Sequence, residues 1–463
     1  STAWPVWPSP SPPGPKSHPL VRPIRLDRNP APQHECARSG RPMLFSSSLF
    51  IFYFLPVALI GWIALSRRGL APAALGWILA SSLVFYAWRT PIYLVLIVSS
   101  ILINYGIGRG LADETKPRKA FLTVGIVGNL TLLGYFKYAA WLVASVNSVV
   151  DTHVRLAPME LPLAISFFSI QQIAYLVDTY RSKQPERALL RYAMIVVFFP
   201  HLIAGPIVRL SEFLPQMTAR WRGQTQRSRD LSVGFAIFCF GLAKKTILAD
   251  RLGEFADDYF GLAHQGRALG VVDSWIGVLA YTFQIYFDFS GYSDMAIGIS
   301  QMFGFKLPVN FNSPYKARNI VDFWRRWHMT LSAFLRDYVY ISLGGNRRGE
   351  ARRYLNLFLT MLIGGLWHGA DWTFVAWGAL HGSYLTVNHV WQKAGPRRTF
   401  LPPRVGALLS WAITFFAVVI AWVFFRAPSF TDARLILECM FGLGGSAGAV
   451  SYTHLTLPTN REV

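Results

Sequence analysis

The sequence predicts an all-α polytopic membrane protein, and two properties of the chain lead to this fold class. Of its 463 residues, 52% are hydrophobic and only 15% are charged, and the mean hydropathy is +0.32. A soluble domain of ordinary composition carries more charge. Apolar runs recur along the chain, and most are close to the length of about 20 residues that one crossing of the bilayer core requires. We therefore expect about 10 to 12 transmembrane or re-entrant helices.

The basic residues lie where the cytoplasmic loops of a membrane protein carry them. A formal net charge of +21 would suggest nucleic-acid binding in a soluble protein. Here Lys and Arg cluster between apolar runs, which suits loops that face an anionic lipid leaflet. No basic soluble domain with interleaved aromatic residues is apparent, so the expected partner is the lipid bilayer and not nucleic acid. Cys36, Cys239 and Cys439 are too far apart in sequence to indicate a disulfide framework or a metal site.

The two ends of the chain differ in composition from its centre. Residues 1–42 contain eleven of the 28 prolines and precede the first methionine, Met43. We expect them to be a disordered or non-native extension. Residues 43–449 are expected to form the membrane domain. The stretch VSYTHLTLPT resembles a translated adapter, so residues 450–463 are expected to be an artefact and the membrane domain to be truncated at its C-terminal end.

Twelve apolar segments follow Met43 and are candidates for crossing the membrane. They are residues 44–65, 71–88, 91–108, 120–136, 138–150, 161–178, 189–208, 230–250, 271–299, 354–366, 370–391 and 405–426. Several are too short or too polar for a simple crossing. The regions 120–150, which Lys137 interrupts, and 354–391 are expected to be broken or re-entrant helices, which need protein or a water-filled cavity around their free backbone groups.

The basic loops also predict the orientation of the first helices. Arg67 and Arg68 follow the first segment, and a basic group follows the third, whereas the loop between them has only Arg89. Because cytoplasmic loops carry the excess of Lys and Arg, the odd-numbered loops are expected on the cytoplasmic side.

Two histidines in the apolar stretch 322–382 are the candidate catalytic residues, because ionisable side chains at membrane depth are costly and usually functional. His368 lies in GGLWHGADWTF, where glycines permit close approach and Trp367 and Trp372 are expected to form rigid apolar walls. Imidazole titrates near neutral pH, so His368 is expected to act as a general base on an acceptor hydroxyl.

His328 lies in IVDFWRRWHMTLSAFL, where the apolar residues have helical spacing. This spacing predicts a helix on which Trp324 and His328 share a face. Arg325 and Arg326 would then point elsewhere. A solvated helix face is the simpler role for them, and binding to headgroups or to the phosphates of an acyl donor is the alternative. His328 is expected to be a partner of His368 that orients it.

Three alternatives to this catalytic interpretation are open. His368 would fit a hydrogen bond to a neighbouring helix, and His328 would fit an interfacial helix position satisfied by water. His328, His368 and Asp371 could also ligate zinc, although the HExxH pattern is absent. A covalent acyl-enzyme would need an activated nucleophile such as Ser383 beside His381, and no GxSxG nucleophile elbow, with its strand-to-helix turn, is apparent. Direct transfer is favoured, with Trp367 or Asn310 as hydrogen-bond donors to the oxyanion.

Polar residues in other apolar segments are candidates for the lining of a substrate tunnel. They are Asp288, Tyr292 and Asp294 in YFDFSGYSDMAIG, together with Asn310. Hydrogen bonds between helices are the simpler role for them.

The chain resembles the membrane-bound O-acyltransferase family, and within it the membrane subunits for alginate O-acetylation. The matching stretches include LPLAISFFSIQQIAYLVDTYR, FFPHLIAGPIVRLSEFLPQ, GLAKKTILAD, FNSPYKARNIVDFWRRWHMTLSAFLRDYVYISLGG and GGLWHGADWTFVAWGALHG, and the resemblance covers about residues 43 to 449. It implies helices around a central tunnel, with His368 catalytic and His328 across the same tunnel. Under this resemblance the substrate-binding residues are expected to be Trp367, Trp324, Asp288, Tyr292, Asn310 and Arg326.

The resemblance also implies a reaction. It is O-acetylation of alginate or a similar exopolysaccharide, with acetyl-CoA as a cytoplasmic donor, no bound cofactor or metal, and periplasmic proteins as partners that complete the polysaccharide modification. The implied location is the bacterial inner membrane. D-alanyl transfer to teichoic acid is the alternative within the family, and a non-enzymatic transporter or channel is the alternative outside it.

Overall fold

The computed structural model describes residues 43–150, 153–154, 156–157, 159–219, 227–267, 269–395 and 402–443, which form helices and no β-strand. The domain boundaries predicted at 1–42 and 450–463 lie outside these residues. We number the helices in chain order as α1 (Phe50–Arg67), α2 (Ala71–Ala87), α3 (Tyr93–Leu111), α4 (Arg118–Val150), α5 (Ile165–Ser182), α6 (Leu189–Val197), α7 (Phe199–Leu202) and α8 (Leu210–Ala219).

The second half of the described chain contains eight more helices. They are α9 (Arg227–Ala243, continuing through Lys244–Ala249 and Asp250–His264), α10 (Val271–Met302), α11 (Ile320–Trp324), α12 (Met329–Phe334), α13 (Glu350–His368), α14 (Trp372–Ala394), α15 (Pro403–Arg426) and α16 (Phe430–Met440). Among the described residues, the five helices α1, α3, α4, α9 and α15 are long and apolar enough to cross a membrane, and α2 is a shorter apolar helix.

The surface of these helices is apolar, as a lipid-facing surface has to be. On α1, Phe52 is 71% exposed and Ile60 is 66% exposed, and on α9 Phe240 is 73% exposed. Contiguous apolar side chains of this size would be a liability in water. The chain is therefore an all-α membrane protein, as the composition predicts.

Two ion pairs between loops define the two ends of the helix bundle. Lys183, after α5, pairs with Glu114, between α3 and α4, at 2.5 Å. Arg89, between α2 and α3, pairs with Glu160, before α5, at 2.8 Å. We call the first of these the basic end and the second the opposite end. The alternation of loops between the two ends agrees with the order of crossings expected for the first helices.

Helix α4 is continuous where a break was expected. Residues Gly134–Tyr138, which include Lys137, form one π-helical turn between two α-helical parts. A π-turn absorbs one extra residue without ending the helix, and such turns are frequent at functional sites.

The region 354–391 is broken, as predicted. Helix α13 ends at His368, and α14 begins at Trp372. The residue before α14, Asp371, accepts a hydrogen bond through its side chain from the backbone N–H of Thr373 at 2.9 Å. This side chain satisfies one of the free N–H groups at the start of α14. The break places His368 at the end of a helix, where its side chain is free of the next turn.

Two sequence predictions about helices are wrong. Residues 189–208 do not form one membrane crossing, because the helix stops at Phe198 and continues only as the short, buried α7. The single helix predicted around His328 is also broken, since α11 ends at Trp324 and α12 begins at Met329. Trp324 and His328 therefore do not share a helix face. Apolar spacing alone does not reveal these breaks, because both segments are buried on several sides.

Candidate active site

The rings of His328 and His368 meet across a cavity, with 6.5 Å between their centroids. This cavity has a volume of about 280 Å³, and both histidines line it. We call it the histidine cavity; its other lining residues include Lys137, Ser166, Phe289 and Trp367. The structure thus brings together the two histidines that the sequence selected.

The backbone of His328 is held in an unusual conformation. The residue precedes α12 with φ 42° and ψ 55°, in the left-handed region. A non-glycine residue in this region costs on the order of 1–3 kcal/mol and persists only where its surroundings enforce it. Its side chain is 1% exposed. Such enforced strain is typical of functional sites.

Asn310 determines which nitrogen of His328 carries the proton. Its Oδ1 accepts a hydrogen bond from the backbone N–H of Thr330 at 3.3 Å, which identifies this atom as the amide oxygen, since an N–H can only donate. The same Oδ1 lies 3.1 Å from Nδ1 of His328, so Nδ1 carries the proton. In the neutral ring, Nε2 is therefore an acceptor, and it is buried without a partner among the described residues.

His368 is surrounded by aromatic rings. Its ring centroid lies 5.1 Å from those of Trp367 and Trp377 and 5.2 Å from that of Phe425. Within the described part of the chain, the ring makes no hydrogen bond, and the residue is partly exposed to the cavity. The imidazole of His368 is consequently open to a ligand. Trp372, which was expected to be a wall, lies 52% exposed against Trp141, and Trp377 and Phe425 take its place.

The glycines around His368 serve helix packing. A Cβ on Gly365 would lie 2.3 Å from the carbonyl oxygen of Phe374, and one on Gly369 would lie 2.1 Å from the Phe374 ring. Helix α14 therefore packs directly on the backbone of α13. Close approach was expected here, and the group that approaches is a neighbouring helix.

His381 is a third buried histidine that the sequence reasoning did not select for the site. It is 0% exposed, and its Nδ1 accepts a hydrogen bond from Nε1 of Trp324 at 3.3 Å. Trp377 contacts both His381, at 4.7 Å, and His368, at 5.1 Å between ring centroids. The repeated HG pair at residues 368–369 and 381–382 was the available signal. Ser383, the possible nucleophile, is exposed while His381 is buried, so the two side chains lie in different environments.

A second cavity lies beyond Trp324 and is basic. It has a volume of about 360 Å³ and is lined by Arg325, Arg336, Arg353 and His389 among others, and no Asp or Glu of the described residues belongs to its lining. We call it the arginine cavity. Arg353 donates to Nδ1 of His389 at 3.0 Å, and Arg325 forms no ion pair within the described ranges.

The two cavities lie towards different ends of the bundle. Near the arginine cavity, the hydroxyl of Tyr338 donates to Asp178 at 2.7 Å, and Asp178 lies in the last turns of α5, at the basic end. The histidine cavity is lined by Leu161 and Pro162, which follow Glu160 at the opposite end. The rings of Trp324, His381 and Trp377 lie between the cavities and pack edge to face.

Beside the arginine cavity, one carboxylate connects two arginines. Asp337 binds Arg336 at 2.6 Å and also pairs with Arg209. The hydrogen bonds from Arg336 and the nearby Arg209 guanidinium hold the pKa of Asp337 below its usual value of 3.8.

The remaining residues selected from the sequence lie elsewhere. Trp367 lines the histidine cavity, Trp324 lines the arginine cavity, and Asn310 contacts His328. Those outside the two cavities are Asp288, paired with Lys245 at 2.6 Å, Tyr292, stacked on Phe45 at 4.7 Å, and Arg326, paired with Asp322 at 2.8 Å. Their substrate-binding roles remain predictions. From α10 it is Phe289 that reaches the site, 4.7 Å from the His328 ring.

A zinc site does not form from the three suggested ligands. Asp371 caps α14 through its hydrogen bond to Thr373. Across the described ranges, no group of three or more His, Cys, Asp or Glu side chains is arranged to hold a metal ion.

Comparison with known proteins gives consistent matches. The family model for MBOAT, the membrane-bound O-acyltransferase family, matches residues 122–427, which include Lys137, His328 and His368. The peptidoglycan O-acetyltransferase of Helicobacter pylori is 44% identical over 445 residues, covering 89% of this chain and 82% of that protein. The probable alginate O-acetylase AlgI of Pseudomonas aeruginosa is 43% identical over 410 residues, covering 87% of this chain and 75% of that protein. The teichoic acid D-alanyltransferase of Bacillus subtilis is 27% identical over 279 residues, covering 58% of this chain and 69% of that protein.

Proposed function

Because this chain belongs to the membrane-bound O-acyltransferase family, we propose that it transfers acetyl groups from a cytoplasmic thioester donor to a polysaccharide hydroxyl beyond the membrane, with His368 as the general base. The observation that carries this proposal is the pair of imidazole rings, 6.5 Å apart, on one cavity towards the opposite end of the bundle. Family membership makes the chain an O-acyltransferase, which removes the transporter or channel alternative. The base, the donor and the direction of transfer are the proposal.

The chemistry is direct acyl transfer. The acceptor hydroxyl loses its proton to His368 as its oxygen attacks the thioester carbonyl carbon, which gives a tetrahedral oxyanion. The intermediate collapses with breakage of the carbon–sulfur bond, and the imidazolium returns the proton to the leaving thiolate. The products are an O-acetyl ester and a free thiol. No covalent enzyme intermediate is needed, in agreement with the exposed position of Ser383.

His328 stabilises the charge that His368 gains. Its Nε2 can only accept a hydrogen bond while Asn310 holds the proton on Nδ1. A ring-centroid separation of 6.5 Å leaves room for one water between the two rings, which would accept from the second N–H of the charged His368 ring and donate to Nε2 of His328. His328 therefore acts as a partner of the base.

Asn310 is better suited to orienting His328 than to binding an oxyanion. Its Oδ1 accepts from His328 and Thr330, and its Nδ2 lies 3.3 Å from Oγ of Ser293. Nε1 of Trp367 points to the backbone carbonyl of Ser166 at 3.4 Å. Both oxyanion donors suggested by the sequence thus have other partners in this structure.

The arginine cavity supports a phosphorylated donor such as acetyl-CoA. Guanidinium groups bind phosphates through paired hydrogen bonds, and of the three arginines in the lining only Arg336 is paired with a carboxylate, that of Asp337. Arg325 and Arg353 form no ion pair with a described residue, so the cavity attracts an anion. Its apolar side, formed by Trp324, Leu385 and Met361 among others, suits the less polar arm that carries the acetyl group. The cavity lies towards the basic end, which the loop charges predict to be cytoplasmic.

The acceptor is proposed to be a polysaccharide reached from the opposite end, directly or through periplasmic partner proteins. Two relatives of similar identity are named for alginate and for peptidoglycan, so identity alone does not favour one of these polymers. The relative named for D-alanyl transfer to teichoic acid is less similar and covers less of the chain. We accordingly propose O-acetylation in the inner membrane of a bacterium.

The proposal is tested with purified protein in proteoliposomes. Acetyl-CoA is supplied on one side, alginate oligosaccharides or peptidoglycan fragments on the other, and ester formation is measured by mass spectrometry. His368→Ala should reduce transfer about 10²- to 10⁴-fold with the fold intact. Ser383→Ala, which changes an exposed side chain outside the histidine cavity, is the control and should leave transfer unchanged. Full activity in His368→Ala would contradict the assignment of the base, and loss of activity in Ser383→Ala would favour a covalent mechanism.

A further inference from the structure

The geometry points to Lys137 as a positioning residue that holds the end of α13, and with it His368, in the reactive position. This inference rests on the proposed role of His368. Lys137 lies in the π-turn Gly134–Tyr138 of α4, inside an otherwise apolar helix, and it lines the histidine cavity. Lys137 is partly buried and forms no ion pair with a carboxylate of the described residues, so its other contacts have to offset the cost of placing it there.

The hydrogen bonds of Lys137 to described residues lie at the end of α13 and the start of α5. Its Nζ donates to the backbone carbonyl of Trp367, lies 3.3 Å from the carbonyl of His368, and donates to Oγ of Ser166 at 3.2 Å. An ammonium has three hydrogens. The three acceptors use all of them, so none remains for the substrate. Lys137 therefore acts through His368 and Trp367.

The end of a helix explains why a cation is placed there. The last carbonyls of an α-helix have no partner within the helix, and together they carry a partial negative charge. The π-turn supplies donors for the carbonyls of three successive residues, because Tyr138 donates its hydroxyl to Leu366 at 2.6 Å beside the two bonds of Lys137. An ammonium and a phenol thus take the place of a C-cap, and the chain is free to turn sharply at Gly369.

The hydrogen bonds from Lys137 and Tyr138 fix the backbone of His368, whose ring has to stay free of hydrogen bonds to the protein in order to act as the base. The His368 ring has no hydrogen bond to another described residue, so its direction depends on its backbone and on the aromatic rings around it. A displacement of about 1 Å at a reacting group can cost about 10²-fold in rate. Loss of the ammonium should therefore reduce the chemical step and spare substrate binding.

The test compares Lys137→Met with Lys393→Met, measured as kcat and KM in the proteoliposome assay. Lys393, on α14, pairs at 2.6 Å with Glu350 at the start of α13, which is the end of that helix opposite to His368. It is therefore a matched control. We expect kcat of Lys137→Met to fall about 10²-fold, with KM for donor and acceptor within about threefold of wild type. Lys393→Met should keep its kcat. An unchanged kcat in Lys137→Met, or a rise in KM alone, would overturn the inference.

Chemical rescue tests whether the ammonium itself is required. Lys137→Cys should be as slow as Lys137→Met, and alkylation with 2-bromoethylamine, which places a primary amine at this position, should restore kcat. Wild type treated in the same way controls for the native cysteines. If alkylation fails to restore kcat, the ammonium has no positioning role. Tyr138→Phe, which removes one hydroxyl, should lower kcat several-fold even if the lysine variants fold poorly. An unchanged kcat in Tyr138→Phe would contradict the proposal that Lys137 and Tyr138 hold the end of α13.

His368→Ala measured in parallel separates the two proposals. If His368→Ala is inactive and Lys137→Met is fully active, only the inference about Lys137 fails. If His368→Ala remains active, the proposed base fails first.

Discussion

Oδ1 of Asn310 accepts a hydrogen bond from Nδ1 of His328 at 3.1 Å, and this contact determines the protonation pattern of the site. It leaves Nε2 of His328 as an acceptor without a partner among the described residues. Because the amide oxygen also binds Thr330, the ring has one orientation. The two residues lie on different segments, and the left-handed backbone at His328 makes the contact possible.

Removing this contact should slow the reaction. In Asn310→Ala, the His328 ring can protonate on either nitrogen, so part of the enzyme has the wrong tautomer. We expect kcat to fall roughly 10²-fold with a smaller change in KM. Asn312→Ala, an exposed position two residues away, is the control and should keep wild-type kcat. Equal kcat for both variants would show that the tautomer does not matter.

Neutralising the arginine cavity should weaken donor binding selectively. In Arg325→Gln/Arg353→Gln, two cations of the cavity are lost, so KM for acetyl-CoA should rise about tenfold or more. Acetyl-pantetheine, which has no phosphate, should keep the same KM in this variant and in wild type. Arg434→Gln, at an exposed ion pair with Glu438, should change neither value. A parallel rise in KM for both donors would contradict phosphate binding at this cavity.

The packing of α13 on α14 should tolerate no side chain at Gly365. A Cβ there would lie 2.3 Å from the carbonyl oxygen of Phe374, so Gly365→Val must push the helices apart. We expect a loss of about 1–3 kcal/mol of stability and a loss of activity through displacement of His368. The control is Gly406→Ala, where nothing lies within 4 Å of an added Cβ. Thermal unfolding in detergent and the transfer assay measure both effects, and an unaltered unfolding temperature in Gly365→Val would argue against this packing.

Asp337 should contribute stability that depends on pH. Its pKa in the folded protein is lowered by Arg336 and Arg209, so the folded state favours the carboxylate more than the unfolded state does. The contribution is complete above the ordinary aspartate pKa of 3.8 and is lost as the pH falls through the lower folded pKa. Asp337→Asn should therefore lower the unfolding temperature at pH 7, and its difference from wild type should shrink in acid. A difference that stays constant down to the lowest pH that the protein tolerates would contradict this linkage.

Much of the fold could be predicted from the sequence because membrane insertion leaves a strong signal. Long apolar runs have to become helices where water cannot satisfy the backbone. The break between α13 and α14 was predictable for the same reason, since polar residues and glycine interrupt the run. Lys137 was a misleading signal. A charged residue suggests a break, whereas a π-turn and three nearby acceptors keep α4 continuous.

The two wrong helix predictions have the same physical cause. Residues 189–208 and 320–334 are buried on several sides, so their apolar residues do not mark a single helix face, and periodicity loses its meaning. His381 escaped selection because a histidine within an apolar helix is usually a packing residue, and only its contacts with Trp324 and Trp377 connect it to His368.

The sequence by itself determined the class of the protein and the two histidines, because apolar length and the cost of ionisable groups in lipid are properties of local composition. The tertiary structure alone decided how these residues work together. The tautomer of His328 depends on Asn310, the position of His368 depends on Lys137, and the basic cavity draws on arginines from separate segments. Such contacts join residues that are distant in the chain, and their geometry arises only when the helices pack.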